Sequence, residues 1–348
     1  MVHKVLSVSM LLAFAVIGAF GEQQVVVYGW AGDWDLWFKE WGATFEAETG
    51  IKVLYMSGSG LEMYSRVIAE KDNPRADLLL SSAAYLFQLA NMGLFEVLPY
   101  SKLVNAANVD ERFKYERVVI WGWDLYMIGY NTERVSPEDI PTKWQDLANP
   151  KFKGRLIVRP PASDLTAWIW IPLADKYGED VAWAVTLGMF NNAVLWAPST
   201  GDLVSALVGG EGDVAPASFG HIMLARYLWG APIAPSLPDY PVVMLNGFGL
   251  IKGAPHPDAA VKFLDFFLGE YVQDYIMNKL GTSISVNQVV KLNNPQLTEL
   301  MQGKSPQEIL QQAYFIDWPY WTEFVGDQRT RIGLLAAEIE RRVKGLSQ

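Results

Sequence analysis

Apolar positions near the start of the chain follow two alternating periods. Val25-Val26-Val27-Tyr28 is a compact β-branched run closed by Gly29, which predicts a strand. Beyond it, Trp34, Trp37, Phe38, Trp41 and Phe45 recur at helical spacing up to Gly50, which predicts a helix over residues 33–49. The pattern repeats: residues 51–56 read as a strand, 61–70 as a helix, 76–80 as a strand and 83–92 as a helix stopped by Gly93. Strand–helix alternation of this kind builds a mainly parallel sheet. The predicted strands run into the loops Gly29-Trp30-Ala31-Gly32-Asp33, Ser57-Gly58-Ser59-Gly60 and Ser81-Ser82. In open α/β sheets ligands bind beyond the carboxyl ends of the strands. These loops are therefore expected to share one functional edge.

Residues 118–130, around Trp121-Gly122-Trp123-Asp124, read as an apolar aromatic strand that carries the chain into a second lobe. There the pattern predicts strands over 155–158, 194–196 and 214–217, and helices over 163–177, 179–189 and after Thr200. Residues 242–251, which include Asn246, read as a returning strand, and the helix over 257–267 is expected back on the first lobe. The expected organisation is α/β with two lobes: residues 22–122 plus 248–348 in one, and 123–247 in the other.

The first residues bear on compartment. His3 and Lys4 precede a nearly unbroken apolar run, Ala19-Phe20-Gly21 offers small residues for cleavage, and Glu22-Gln23-Gln24 turns polar. This is the layout of a secretory signal, expected to occupy residues 1–21. The run is shorter than the roughly 20 residues needed to span a bilayer. The expected location is a periplasm. The chain has no cysteine, so neither disulfides nor a lipid-acceptor thiol are available. A net charge of −10 without a basic cluster argues against nucleic acid or anionic lipid as partner. Fourteen tryptophans are unusual, and several stand beside glycine or aspartate in predicted loops.

Further motifs sharpen the picture. Asn131-Thr132-Glu133 closes a strand and is followed by a run from Trp144-Gln145-Asp146-Leu147 to Phe152-Lys153-Gly154-Arg155. Later come Gly249-Leu250-Ile251-Lys252-Gly253-Ala254-Pro255-His256-Pro257 and Phe263-Leu264-Asp265-Phe266-Phe267. In combination these resemble the ferric-iron-type branch of the family 1 extracellular solute-binding proteins of ABC importers, over about residues 25–287. The resemblance implies a two-lobe, type II periplasmic-binding-protein fold and a monomer that passes a small molecule to a membrane permease and its ATPase. It implies no cofactor and no catalysis. Ferric-binding members carry adjacent tyrosines after the strand that here reads Asp213-Val214-Ala215-Pro216-Ala217. This chain has Ser218-Phe219-Gly220-His221 instead, a poor donor set for a hard cation.

Hydroxyl-bearing helix starts suit an anion, because free N–H groups and the positive end of the helix dipole meet there. Ser57, Ser59 and Gly60 form one such loop, Ser81 and Ser82 another. Ser163, Asp164 and Thr166 open a second-lobe helix, and Ser199, Thr200 and Gly201 open the next. In the resembled family the loops matching these bind an anion, which carries Ser163, Asp164 and Thr200 over as contacts. Each loop taken alone is equally a helix cap. Trp30, Trp121, Trp123 and Trp196 are expected beside the cleft, with Trp37 and Trp41 in the core. Asp33, Asp124 and His221 complete the polar set. A hydroxylated or amino organic ligand with an anionic, phosphoryl-type group fits these residues. The alternatives are a neutral sugar or polyol, a polyamine or thiamine-like cation, iron(III), or a secreted glycosidase built on two of the aspartates.

Overall fold

The computed structural model describes residues 23–326 and 329–346, without the side chains of Asp164 and Leu300. The expected signal, with His3 and Lys4, lies outside the described residues. The first half of the fold is β1 (Gln24–Trp30), α1 (Asp33–Thr49), β2 (Lys52–Gly58), α2 (Gly60–Ala69), β3 (Leu78–Ser82) and α3 (Ala83–Asn91). β1 pairs with β2 and β3 in parallel, as the alternation of periods predicts. α1 buries Phe38, Trp41 and Phe45 on one face and ends at Gly50, whose φ of 69° is the left-handed conformation favoured at a helix C-terminus.

β4 (Val119–Asn131) follows a stretch of short 3₁₀ turns. It has thirteen residues, all but Tyr130 buried, and spans about 40 Å at strand rise. The second half contains β5 (Leu156–Val158), α4 (Asp164–Tyr177), α5 (Glu179–Asn192), β6 (Ala193–Trp196), α6 (Thr200–Gly209), β7 (Val214–Ser218), α7 (Phe219–Met223) and β8 (Ile233–Ser236). β5 lies parallel to β6 and β7. β9 (Val242–Leu250) returns, and α8 (Pro257–Leu268), α9 (Glu270–Asp274) and β10 (Ile284–Ser285) complete the first half. The strand order is β2-β1-β3-β9-β4-β7-β5-β6, with β8 and β10 also beside β4.

Register shows how two lobes share one sheet. β4 pairs antiparallel with β9 from Val119↔Phe248 to Tyr126↔Val242. From Tyr126 onward it pairs with β7, and from Ile128 with β8. β9 passes from β4 to β3, where Asn246 faces Ser82. The carboxyl end of β3 is therefore level with Gly122 of β4 across β9, and that of β7 meets Tyr126 directly, four positions along, so the strand-end loops of both halves converge there. A main hydrophobic core runs through both halves, and a smaller one holds Ile157, Leu203, Leu207, Ala215, Ile222 and Ile233 under α6 and α7.

The last part of the chain departs from expectation. After α10 (Pro295–Leu300) and α11 (Pro306–Gln312), α12 (Trp318–Trp321) lies against α3, where Asn91 donates to Thr322 Oγ1 at 3.2 Å. A short β11–β12 hairpin (Phe324–Val325, Arg329–Thr330) leads into α13 (Arg331–Gly345), which packs on α4 and α5 of the second lobe. Assignment of residues 248–348 to the first lobe fails for this helix. Its apolar stripe, Ile332, Leu335, Ala336, Ile339 and Val343, needs a partner face, and the Arg342 guanidinium lies over the Trp183 ring at 3.8 Å. Trp318, fully buried, meets Trp168 of α4 edge-on at 5.2 Å. Trp318→Ala should lower stability by about 3–5 kcal/mol, as large-to-small aromatic truncations in cores do. Urea unfolding checks this; a change below about 1 kcal/mol would place Trp318 outside the cooperative core.

Candidate functional site

On the first lobe the cleft edge is formed by the ends of β1, β2 and β3. Trp30 is half-buried, packs on Trp34 at 5.1 Å and stands over the first turn of α2 near Gly60. Tyr55 donates to the Trp30 carbonyl at 2.7 Å, and its phenol fills the space where a side chain on Gly29 would stand. The Ser57 hydroxyl donates to Asp35 Oδ1 at 2.7 Å, while Gly32 N donates to Asp35 Oδ2 at 3.0 Å. Ser59 is the N-cap of α2 and accepts from Glu62 N at 3.1 Å. Asp33, Asp35 and Glu62 are all exposed on this edge, so the loop expected to hold an anion is ringed by carboxylates. Ser81 is fully buried, whereas Ser82 and Asn246 are part-exposed at their paired positions.

Two of the four tryptophans expected beside the cleft are core residues. Trp121 and Trp123 are 0% and 1% exposed. Trp121 is packed between Trp34 and Phe267, each 5.6 Å away. The reason is their strand. β4 is covered on both faces, so loop-like neighbours such as Gly122 and Asp124 do not open it to water. Trp41 is buried as expected, and Trp37 is half-buried.

On the second lobe the strand ends supply a different chemistry. Ser163 caps α4, accepting from Leu165 N at 3.3 Å, and buried Thr166 donates to the Pro160 carbonyl at 3.3 Å. The side chain of Asp164 lies outside the described residues. Ser199 caps α6, accepting from Asp202 N at 3.0 Å and donating to Asp202 Oδ2 at 2.6 Å. Thr200 is part-exposed and Gly201 exposed, and Trp196 is 44% exposed at the end of β6. Immediately after β5 stands Arg159, which the sequence patterns did not single out. Its Nε and Nη1 are buried and have no hydrogen-bond partner among the described residues. A guanidinium has five donors in a fixed fork, a geometry that matches carboxylate and phosphoryl oxygens.

Asp124 is buried, not a wall of the cleft. Its carboxylate accepts from Gly220 N at 3.1 Å and Leu125 N at 2.6 Å, and the Ser218 hydroxyl bonds it as well. The approach of α7 depends on Gly220, where a Cβ would lie 2.5 Å from the Thr282 carbonyl. Burial pushes the Asp124 pKa up to about 7, against the opposing effect of these donors. His221 is exposed, yet protein surrounds its ring closely enough for desolvation to lower its pKa. Its Nδ1 lies 2.5 Å from Ser218 Oγ.

Other concavities sit away from these strand ends. One of 1130 Å³ lies over α8 beside Glu48, Lys102 and Lys262 and meets β1 at its amino end. Among the described residues no group of three or more His, Asp or Glu converges as a metal site.

Two α/β lobes joined by shared strands, with polar loops of both converging on those strands, define a ligand-binding protein of the two-lobed periplasmic type. The chain matches the bacterial extracellular solute-binding protein family over residues 73–314 and belongs to it. It is 29% identical over 250 residues to iron uptake protein A1 of Synechocystis sp., covering 67% of this chain and 68% of that one. It is 25% identical over 317 residues to the Fe(3+)-binding periplasmic protein of Serratia marcescens, covering 86% and 90%. The structure of the Atu4243 GABA receptor superposes with a TM-score of 0.73 at 20% identity, covering 94% of this chain and 98% of that one. These relatives are transport proteins and not enzymes, and the family places the chain outside the cytoplasm.

The position of Asp124 has a measurable consequence for stability. Its folded pKa lies above the unfolded value near 4, so the protonated form is favoured in the folded state. That contribution is complete below about pH 4 and is lost as pH rises through about 7. The Asp124 contribution to the melting temperature should therefore fall between about pH 4 and about pH 7 and level off above, so Asp124→Asn should lack this fall relative to the wild type. Calorimetry at several pH values decides; equal slopes in both proteins would show that Asp124 does not titrate there.

Proposed function

We propose that this solute-binding protein captures a small organic anion, with its anionic group on Arg159 and its hydroxyl or amino end toward the carboxylates and tryptophans of the first lobe. The observation that carries this reading is the Arg159 guanidinium, buried at Nε and Nη1 without a partner at a second-lobe strand end. A buried unpaired charge is costly, and a ligand carboxylate or phosphoryl group would complete it. Ser163, Thr200 and the start of α6 stand on the same edge and offer further N–H and O–H groups. Opposite, Asp33, Asp35 and Glu62 beside Trp30 suit hydroxyl or ammonium groups. The ligand then touches both lobes only when they close, so it shifts the population from open to closed by its differential affinity. The closed form is the one a permease and its ATPase would receive. The hinge is the crossing of β4 and β9.

The names of two relatives raise iron(III) as a second reading. Arg159 weighs against it, because a fixed positive charge opposes a bare cation, and Ser218-Phe219-Gly220-His221 offers no phenolate. The same charge weighs against a polyamine.

Thermal-shift screening with organic phosphates, phosphonates, amino acids, sugars, polyamines and ferric citrate, followed by calorimetry of the hits, tests the reading. An anionic compound should bind the wild type, and Arg159→Met should weaken it by about 10- to 150-fold, the worth of a hydrogen bond to a charged group. Arg159→Lys should recover part of the loss. Binding of ferric ion or spermidine alone, or an unaltered affinity in Arg159→Met, would overturn it.

A further inference from the structure

A chain of three side chains runs from the hinge to the surface. Asp124 lies in the middle of β4, Ser218 ends β7 and caps α7, and His221 lies one turn further on. Gly220 N holds the Asp124 carboxylate at 3.1 Å, the Ser218 hydroxyl bonds it, and Ser218 Oγ in turn lies 2.5 Å from His221 Nδ1. Only His221 of the three is exposed. We propose that Asp124 is a positioning residue that acts through Ser218 to set whether the other ring nitrogen of His221, Nε2, accepts or donates a hydrogen bond.

The count of protons along the chain sets its two states. A serine hydroxyl has one proton and two lone pairs. When Asp124 is ionised it has no proton to give, so the Ser218 proton points to it. Ser218 Oγ then accepts from His221 N, at 3.4 Å, and from Nδ1–H. The neutral imidazole is held as the Nδ1–H form, and Nε2 is an acceptor. When Asp124 takes up a proton it donates to Ser218 Oγ. The Ser218 proton turns to His221 Nδ1, which must now be bare, and the ring proton moves through solvent to Nε2. One proton is taken up in all, and Nε2 changes from acceptor to donor.

The surroundings favour such a relay. β7, β9 and β10, which flank this part of β4, carry no charged residue, and the 281–283 turn is Gly-Thr-Ser. On β4 itself the other titratable groups are Tyr126, whose phenol donates to the Pro216 carbonyl, and Tyr130. α7 carries only His221, the turn after it carries Arg226, bonded to the Ile233 carbonyl, and Arg159 is the charged residue at the next strand end. Burial brings Asp124 into the range where both of its states occur near neutrality, while the His221 ring resists protonation. In ligand terms, the donor form of His221 suits an anionic oxygen beside Arg159, and the acceptor form suits a hydroxyl or ammonium. This consequence rests on the proposed cleft, but the relay itself does not.

Nitrogen-15 NMR of the ligand-free protein reads the relay directly, because the two ring nitrogens shift apart with tautomer. The three histidines are His3, His221 and His256, so assignment is short. In the wild type, His221 should pass from the Nδ1–H form at about pH 8.5 to the Nε2–H form at about pH 6, before the ring charges. Asp124→Asn, whose amide N–H replaces the acid proton, should hold the Nε2–H form throughout. Ser218→Ala should remove the change, with the His256 signals as the check on folding. A wild-type ring that keeps one tautomer over that range would overturn the proposal without needing either variant, as would a change that survives Ser218→Ala. Since no ligand is present, failure here and failure of the Arg159 reading are separate results.

Discussion

The antiparallel pairing of β4 with β9 is the constraint from which the site follows. Each strand serves both lobes: β4 leaves β9 at Tyr126 and continues beside β7 and β8, and β9 pairs with β4 from Val242 to Phe248 and, on its other edge, with β3 from Asn246 to Leu250. Backbone hydrogen bonds in a buried sheet cannot be given up without cost. The register Gly122↔Asn246 and Tyr126↔Ser218 is therefore fixed, and with it the convergence of Ser82, Asn246, Ser218 and the loops after β5 and β6. A one-residue slip would turn the whole of β4 over and bring Asp124 out from beneath α7. The aromatic weight of this region serves that fixity. Trp121 and Trp123 hold β4 in the core instead of stacking on a ligand.

The two edges of the cleft are electrostatically unlike. Hydroxyls that could have faced an anion on the first lobe are already committed: Ser57 to Asp35, Ser59 to the α2 backbone. On the second lobe Ser199 is likewise bound to Asp202. Beside the hydroxyls of Ser163 and Thr200 the second-lobe edge carries a guanidinium, and the first-lobe edge carries exposed carboxylates. A neutral sugar could accept hydrogen bonds from Arg159 through its hydroxyl oxygens but would leave the guanidinium charge uncompensated, so on the proposed reading an anionic group gains more. A molecule with unlike ends uses both edges and rewards closure twice.

The sequence made the repeating elements legible because each obeys a single period with a clear stop. α1 is readable in Trp34, Phe38, Trp41 and Phe45 up to Gly50, and β1 in three consecutive valines. The loops after β1, β2 and β3 were placed correctly on one edge because parallel pairing leaves no other choice. Tryptophan position was less legible. Glycine and aspartate beside Trp121 and Trp123 imitate a loop, and nothing local reveals that β4 is covered on both faces. Arg159 was hidden for the opposite reason. The apolar pattern of the strand ends at Leu156-Ile157-Val158 and carries no mark of the charged residue directly after it, which occupies the carboxyl end where ligands bind. The placement of α13 on the second lobe depends on a tertiary partner that no periodicity names.

That last helix bears on how the lobes can move. Besides β4 and β9, the segment from Tyr314 to α13 crosses between lobes. Tyr314 N donates to the Pro241 carbonyl, and Val243 N donates to the Tyr314 carbonyl. Thr322 is held from α3, and Trp318 from α4. Three crossings restrict relative motion to a rotation about a line close to all of them, because any axis farther away would stretch at least one. On the proposed closure such a line would run near the middle of β4, the strand both lobes share, where Asp124 accepts from Gly220 N. Contacts on the axis are displaced least, whereas Trp30 and Trp196, out on the strand ends, are carried farthest. A polar cluster that must keep its geometry through closure therefore belongs at Asp124, Ser218 and Gly220, and groups that must meet a ligand only at the end of closure belong at the rims. The sequence places its buried carboxylate and its exposed aromatics accordingly.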